Sequence, residues 1–360
     1  MAEFVHLKDA RLCQSGAEHG RGTLGLKSDI LRKAGAVLPP ALLRPLGRPV
    51  ALFFHGVERQ IADPALQFNH HALEDFHAIA AALKANFDVA PLTELSAVLR
   101  KPERHRRTVF LMSDDGYANT RLAADVLENL RLPWTLFVST EHIDTGAPNP
   151  MFQARQFLHQ APDGVYRVPH LAEPIRLNGM RAVVAEKVVQ SIRFLPNEAA
   201  REAIGAMTAA LGKSDVAENG RYPCERFLTW DELRALQARG VTIGAHAHWH
   251  WAMHPSEDVA FVRRQAKIPR ERIEAEVGTC RYFAYPFGNQ RDVSAHAWRA
   301  VRAAGYDYAF TTLAGTLSGA QNPWLLPRYG LQAREPYLGS LVPLLRLGNR
   351  RVAAWQQSLS

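Results

Sequence analysis

The sequence predicts an α/β fold organised on a parallel sheet or barrel, and three observations carry that prediction. Short apolar runs, rich in Val, Phe and Leu, alternate with amphipathic stretches whose apolar residues recur at three- and four-residue intervals. The strand-like runs are of the buried type, as expected where helices cover a parallel sheet. Several of them stop at His, Asp or Tyr-Pro groups, and the carboxyl edge of such a sheet is where chemistry gathers.

Residues 1–47 show no regular pattern and end in LPPALLRPLGRP, a proline-punctuated lead-in to a domain. VALFF (50–54) is a first strand that stops at His55-Gly56. Leu73, Phe76, Ile79 or Ala80, Leu83 and Phe87 then follow with helical spacing, His70-His71 capping or flanking that helix. TVFLM (108–112) is a second strand, running into Asp114-Asp115. Residues 121–130 form an amphipathic helix, and WTLFVS (134–139) is strand again. From about 149 to 226 the rhythm breaks; a long helical pattern at 180–195 with few β signals marks an insertion on one strand–helix connection. WDELRALQAR (230–239) is a helix closed by Gly240, and VTIG (241–244) a strand running into His246. RYFAY (281–285) is a strand ended by Pro286 and Gly288, a helix over 296–304 closes on Gly305, and residues 308–312 give one more strand. The domain spans 48–335, and 336–360 is an amphipathic tail.

Composition excludes several classes. The 360 residues are 47% hydrophobic and 22% charged, ordinary for a globular enzyme, and no 18-residue apolar run spans a membrane. The start lacks a signal-peptide apolar core, so a cytoplasmic location is expected. Cys13, Cys224 and Cys280 are too scattered for a disulfide framework or a thiolate zinc site. The net charge of +8 comes from Lys and Arg spread along the chain, without a basic aromatic motif, so no nucleic-acid partner is expected.

Four strand ends carry the chemistry: His55, Asp114-Asp115, His246 to His250, and Tyr285-Pro286-Phe287-Gly288. Two adjacent carboxylates repel unless a positive group sits beside them. His246 and His250 are four apart, so a helical turn or tight loop can aim both rings at one point. With Asp115 they make a three-ligand set for a divalent ion, zinc first, with cobalt, nickel or manganese as alternatives. Asp114, turned away from that ion, is then free to take a proton from a bound water whose pKa the ion lowers to about 7. His248 is expected to be structural, with contact to metal or substrate as the alternative. Pro286 and Trp249, which adjoin these groups, are assigned to substrate binding.

In that order SDDGY, GAHAHWH and RYFAYPFG resemble the three leading motifs of the polysaccharide deacetylases, the NodB homology family or carbohydrate esterase family 4. The flanks LPWTLFVST, FLTWDELRALQARGVTIG and AGYDYAFTT agree as well, so the resemblance covers roughly 50–330. It implies a distorted (β/α) barrel of about seven strands that hydrolyses N- or O-acetyl groups on sugars. It implies Asp114 as catalytic base, Asp115, His246 and His250 as metal ligands, Arg281 as the residue orienting the base, and the Tyr285 N–H as oxyanion donor. Met112-Ser113 and Ala247 depart from the family pattern, the latter at a site that usually holds Ser or Thr. The family's C-terminal Leu-x-His is missing, since no histidine follows His296. His55 resembles the strand-end histidine of a circularly permuted subgroup and is assigned the proton donor's role. Arg328, in LLPRYGL, matches a recurrent strand position in relatives and is expected to orient the site from behind.

The expected substrate is an acylated amino sugar or glycan precursor, lipid-linked or nucleotide-linked, in surface polysaccharide or glycolipid synthesis. The alternatives are a small non-sugar amide or ureide, and a non-catalytic glycan-binding module. The tail interleaves leucines with Arg346, Arg350 and Arg351; it is read as a helix docked on the barrel or as an interfacial segment giving peripheral contact with the inner membrane surface.

Overall fold

The computed structural model describes residues 47–211, 226–333, 341 and 348–359; the lead-in apart from Gly47, and much of the tail, lie outside the described residues. The strands are β1 (Val50–Phe54), β2 (Val57–Glu58), β3 (His71–Ala72), β4 (Asp88–Val89), β5 (Thr108–Ser113), β6 (Thr135–Val138), β7 (Gly164–Tyr166), β8 (Ile175–Leu177), β9 (Thr242–Ala245), β10 (Tyr282–Ala284), β11 (Tyr308–Phe310) and β12 (Tyr329–Gly330). The helices are α1 (Leu73–Asn86), α2 (Leu95–Arg100), α3 (Thr120–Asn129), α4 (Thr140–Thr145), α5 (Pro150–Gln160), α6 (Arg181–Arg193), α7 (Asn197–Leu211), α8 (Trp230–Ala238), α9 (Val259–Val277), α10 (Ala295–Ala303) and α11 (Arg350–Ser358).

Seven parallel strands form one curled sheet in the order β11-β10-β9-β6-β5-β1-β12, with β4 added alongside β5. A parallel bridge from Phe310 to Leu326 joins the two ends, so the sheet curls into a distorted barrel. Alternate residues of a strand serve different sides, as the two-residue period requires. Ala51, Phe53, Phe110, Met112, Phe137 and Phe310 form one apolar cluster. Val50, Leu52, Phe54, Leu111, Leu136 and Ile243 belong instead to the larger cluster shared with Phe76, Leu127 and Leu233 of the helices.

The expected elements lie within a residue or two of their predicted places, and α8 opens with the capping box that Thr229 and Glu232 form. Two features differ. The insertion carries an antiparallel hairpin, β7 with β8, besides α5, α6 and α7, and its Ile192 and Ala203 share a separate apolar cluster with Trp251 and Phe261 of the domain. The long helix α9 contains Pro269 and was not expected; its Asp258 cap accepts from Phe261 N at 2.8 Å.

The described part of the tail, α11, docks on the barrel. Val352 and Trp355 are buried, and Gln356 Nε2 donates to Leu325 O at 2.8 Å. Its apolar side therefore faces protein. Among the described residues no helix is long and apolar enough to cross a membrane.

Candidate active site

Register places the first groups. Phe54 pairs with Ser113, so His55 and Asp114 follow side by side at the carboxyl ends of β1 and β5. Ser113 Oγ donates to His55 O at 2.9 Å, and Asp114 N donates to Phe54 O at 3.0 Å, locking the two strand ends together. The chain then turns sharply. Asp115 has φ 77° and Gly116 φ 86°, and a Cβ on Gly116 would meet Val138 Cγ1 at 2.9 Å, which is why glycine closes the SDDG run. Of the six non-glycine residues with positive φ among the described residues, Asp115, Ala247, His250 and Phe287 are all in this centre; such strain gathers at functional sites.

Asp115, His246 and His250 converge, with one ligating atom of each within 4.8 Å of the others, and all three are buried. His250 Nε2 lies 2.9 Å and His246 Nε2 3.3 Å from Asp115 Oδ1, yet that oxygen has no hydrogen-bond partner among the described residues. A buried carboxylate oxygen facing two ring nitrogens in this manner fits a divalent cation better than it fits hydrogen bonding. His246 Nδ1 is 2.8 Å from Ala284 O, which only accepts, so that nitrogen carries the proton and Nε2 presents its lone pair inward. His250 Nδ1 rests 3.0 Å from Nδ2 of Asn149, the N-cap of α5. Burial raises the Asp115 carboxyl, but the charge of His250 and contacts with both imidazoles hold it well below the usual range.

Asp114 is held apart from this trio. Arg328, fully buried, donates through both terminal nitrogens to its two oxygens, at 2.7 and 2.8 Å. Arg328 Nε donates to Thr311 O at 3.0 Å, and its guanidinium lies 4.4 Å from the Phe53 ring centre. Burial raises the Asp114 carboxyl, but Arg328 and then His246 outweigh it, so the group stays ionised. The positive group that the paired aspartates require is thus an arginine from the far end of the domain.

Two sequence assignments need correcting. Arg281 does not touch Asp114: it is exposed, and its Nε donates to Asp307 Oδ2 at 2.6 Å. It precedes β10, and the rise of roughly 3.3 Å per residue carries the chain about 13 Å before Tyr285 reaches the catalytic edge. The Tyr285 N–H also has another task, since it donates to Phe310 O at 3.0 Å as the last rung between β10 and β11. Pro286 then ends the ladder, and Phe287, at φ 59°, turns away with its ring 5.2 Å from that of His250. The Phe287 N–H makes no hydrogen bond among the described residues.

The remaining assignments fall at various depths. His55 is half-buried, with its ring 5.7 Å from Phe53; burial lowers its pKa, against the pull of Asp115 and Asp114. His248 is structural, Nδ1 lying 2.7 Å from Thr140 Oγ1. Trp249 is half-buried and stacked on Phe261 at 5.1 Å, and Pro286 is buried. His70 and His71 flank α1 without capping it, since the N-cap is Ala72; both are buried, at the edge of the small β2–β3 ladder. Gln265 on α9 went unforeseen. Its Oε1 accepts from His248 N and Trp249 N, and its Nε2 donates to Trp251 O, so one buried amide fixes the histidine loop. A glutamine in a charged, proline-bearing stretch gives no local signal of that task.

The family model described as polysaccharide deacetylase matches residues 101–309. No curated protein matches the chain. Among solved structures, the Streptococcus pyogenes deacetylase PplD in complex with acetate is similar with a TM-score of 0.55 at 12% identity, over 82% of this chain and 98% of that one. IcaB from Ammonifex degensii gives 0.54 at 13%, over 83% and 97%. BC0361, a polysaccharide deacetylase from Bacillus cereus, gives 0.52 at 13%, over 83% and 69%. At these identities the likeness is one of fold.

Proposed function

This chain belongs to the polysaccharide deacetylase family, hydrolases of amide bonds, and on that premise we propose that it removes an N-acetyl group from an amino-sugar glycan or glycan precursor with the help of a divalent ion. One observation carries the reading: an ionised carboxylate, Asp114, clamped by Arg328, stands beside a separate cluster of Asp115, His246 and His250. A module that only binds glycan has no use for a second buried carboxylate held in readiness.

Asp115, His246 and His250 would hold the ion, and the two imidazoles with one carboxylate suit zinc first. When bound, it supplies Lewis acidity at the acyl carbonyl and makes a neighbouring water more acidic. Asp114 accepts the proton of the attacking water. Arg328 keeps that carboxylate ionised and aimed. The Phe287 N–H, unpaired among the described residues, is a backbone donor available to meet negative charge on the acyl oxygen. His55 carries the proton to the departing nitrogen, as the group across the register from Asp114.

The test is acetate release from N-acetylated amino-sugar oligomers, with and without a chelator and with zinc added back. Release that is abolished by the chelator and restored by zinc supports the reading. Release only from small amides or ureides would transfer the activity to that substrate class, and chelator-resistant release would remove the ion from it.

A further inference from the structure

We propose that His70 and Asn119 form a substrate-positioning pair that reads a hydroxyl group of the substrate, the imidazole donating to it and the amide oxygen accepting from it. The inference rests on the deacetylase reading above and adds a specificity element to it.

The pair is built into the catalytic edge. Asn119 closes the loop that begins at Asp114-Asp115, and His70 lies against Gly56, the residue after His55. A Cβ on Gly56 would stand 1.7 Å from His70 Cδ2, 2.2 Å from His70 Nε2 and 2.7 Å from Asn119 Oδ1. Glycine is therefore what lets the imidazole and the amide close in between the ends of β1 and β5. From there a row of rings leads to the metal-ligand cluster: His70 to Tyr117 at 5.2 Å, Tyr117 to Phe227 at 5.0 Å, Phe227 to His142 at 4.6 Å, and His142 to His250 at 6.4 Å.

The polar atoms of the pair have no internal partners. His70 is 2% exposed, and neither ring nitrogen has a hydrogen bond among the described residues; Asn119 Oδ1 is equally unpartnered. Buried polar groups are almost always satisfied, so unpartnered ones packed against Gly56, beside the ends of β1 and β5, point to a ligand. The Asn119 amide cannot simply turn over, because its Nδ2 donates to Glu58 Oε1 at 2.7 Å. It therefore offers an acceptor. Burial holds the His70 pKa down to about 3, so the ring is neutral and offers one N–H and one lone pair. A hydroxyl both donates and accepts and so answers both groups. A phosphate or carboxylate oxygen would instead face Asn119 Oδ1, with Glu58 behind it. His71 does not join the pair; its ring lies 6.1 Å from Phe76, on the core side.

The experiment compares the full chain with His70→Gln and Asn119→Ala on an N-acetylglucosamine oligomer and on an aryl acetate that carries no hydroxyl. The expected result is about a tenfold loss of kcat/KM on the oligomer, mostly in KM, with the aryl ester within about twofold and bound zinc unchanged. Asn119→Ala carries the test if His70→Gln does not fold. Equal losses on both substrates, or none on either, overturn the pairing, as does an ordered water that bridges His70 and Asn119 and persists with product bound. If the unaltered protein hydrolyses the oligomer and the variants match it, this inference alone fails. If it hydrolyses no acylated sugar, the deacetylase reading fails too.

Discussion

Replacing Arg328 with methionine should disable the site while leaving the candidate metal ligands Asp115, His246 and His250 in place. The side chain is fully buried and makes two charge-assisted hydrogen bonds to Asp114, at 2.7 and 2.8 Å. Removing one partner of a buried ion pair costs about 3–5 kcal/mol, because the remaining charge has neither water nor counter-ion. Burial already pushes Asp114 toward its protonated form, and Arg328 is the largest opposing influence. Without it the base is protonated over more of the neutral range. We expect kcat/KM at pH 7 to fall by at least about 100-fold, equivalent to roughly 2.7 kcal/mol. The acid limb of the pH–rate profile should move to higher pH, so that part of the loss is recovered in alkali. Arg281→Met is the control: its ion pair with Asp307 is exposed, and activity should stay within about twofold. The assay is acetate release between pH 6 and 9, at a temperature where circular dichroism shows both variants folded. If Arg328→Met keeps its rate and profile, or Arg281→Met falls as far, the assignment of the orienting arginine is wrong.

Three further outcomes are expected. Acid should destabilise the fold: His70 and His142 are held to about 3 and His71 to about 4 by burial, so below about 6.5 the unfolded chain binds protons that the native one does not. Stability then rises with pH across that window, and going from pH 7 to 5 should remove about 2 kcal/mol per histidine, read as a falling urea midpoint; a flat midpoint would contradict it. Gln265→Leu leaves two backbone N–H groups and one carbonyl without their buried partner, at about 1–3 kcal/mol each, and should weaken zinc binding by calorimetry as well as lower the melting temperature; unchanged zinc affinity would release the histidine loop from its dependence on α9. Trp355→Ala should cost about 3–5 kcal/mol if α11 is docked on the barrel, and a melting temperature within a degree or so of the parent would show that it is not.

Much of the architecture was legible locally. Apolar runs such as VALFF and TVFLMS have no stable place except inside a covered sheet, and Gly240 and Thr229 mark the bounds of α8 as capping chemistry requires. Helix α9 escaped because Pro269 interrupts its pattern; in the protein the remaining turns are held by packing of Phe261, Val262, Ala266 and Ile273, whatever the local propensity. The β7–β8 hairpin is only three residues a strand, too short to leave an alternating signal.

The sequence by itself picked out the candidate ligands: Asp115, His246 and His250 stand at strand ends because the identity and order of residues put them there, and residue types and spacing are enough to single them out. It could not decide what surrounds them. Which arginine meets Asp114, 214 residues away along the chain, and which backbone N–H remains unpaired near the histidines, depend on the sheet curling until its two ends meet. Spacing along a strand tells which edge a side chain reaches, and that is what separates Arg281 from the site; the contact that replaces it is made through space, between elements that share no local pattern.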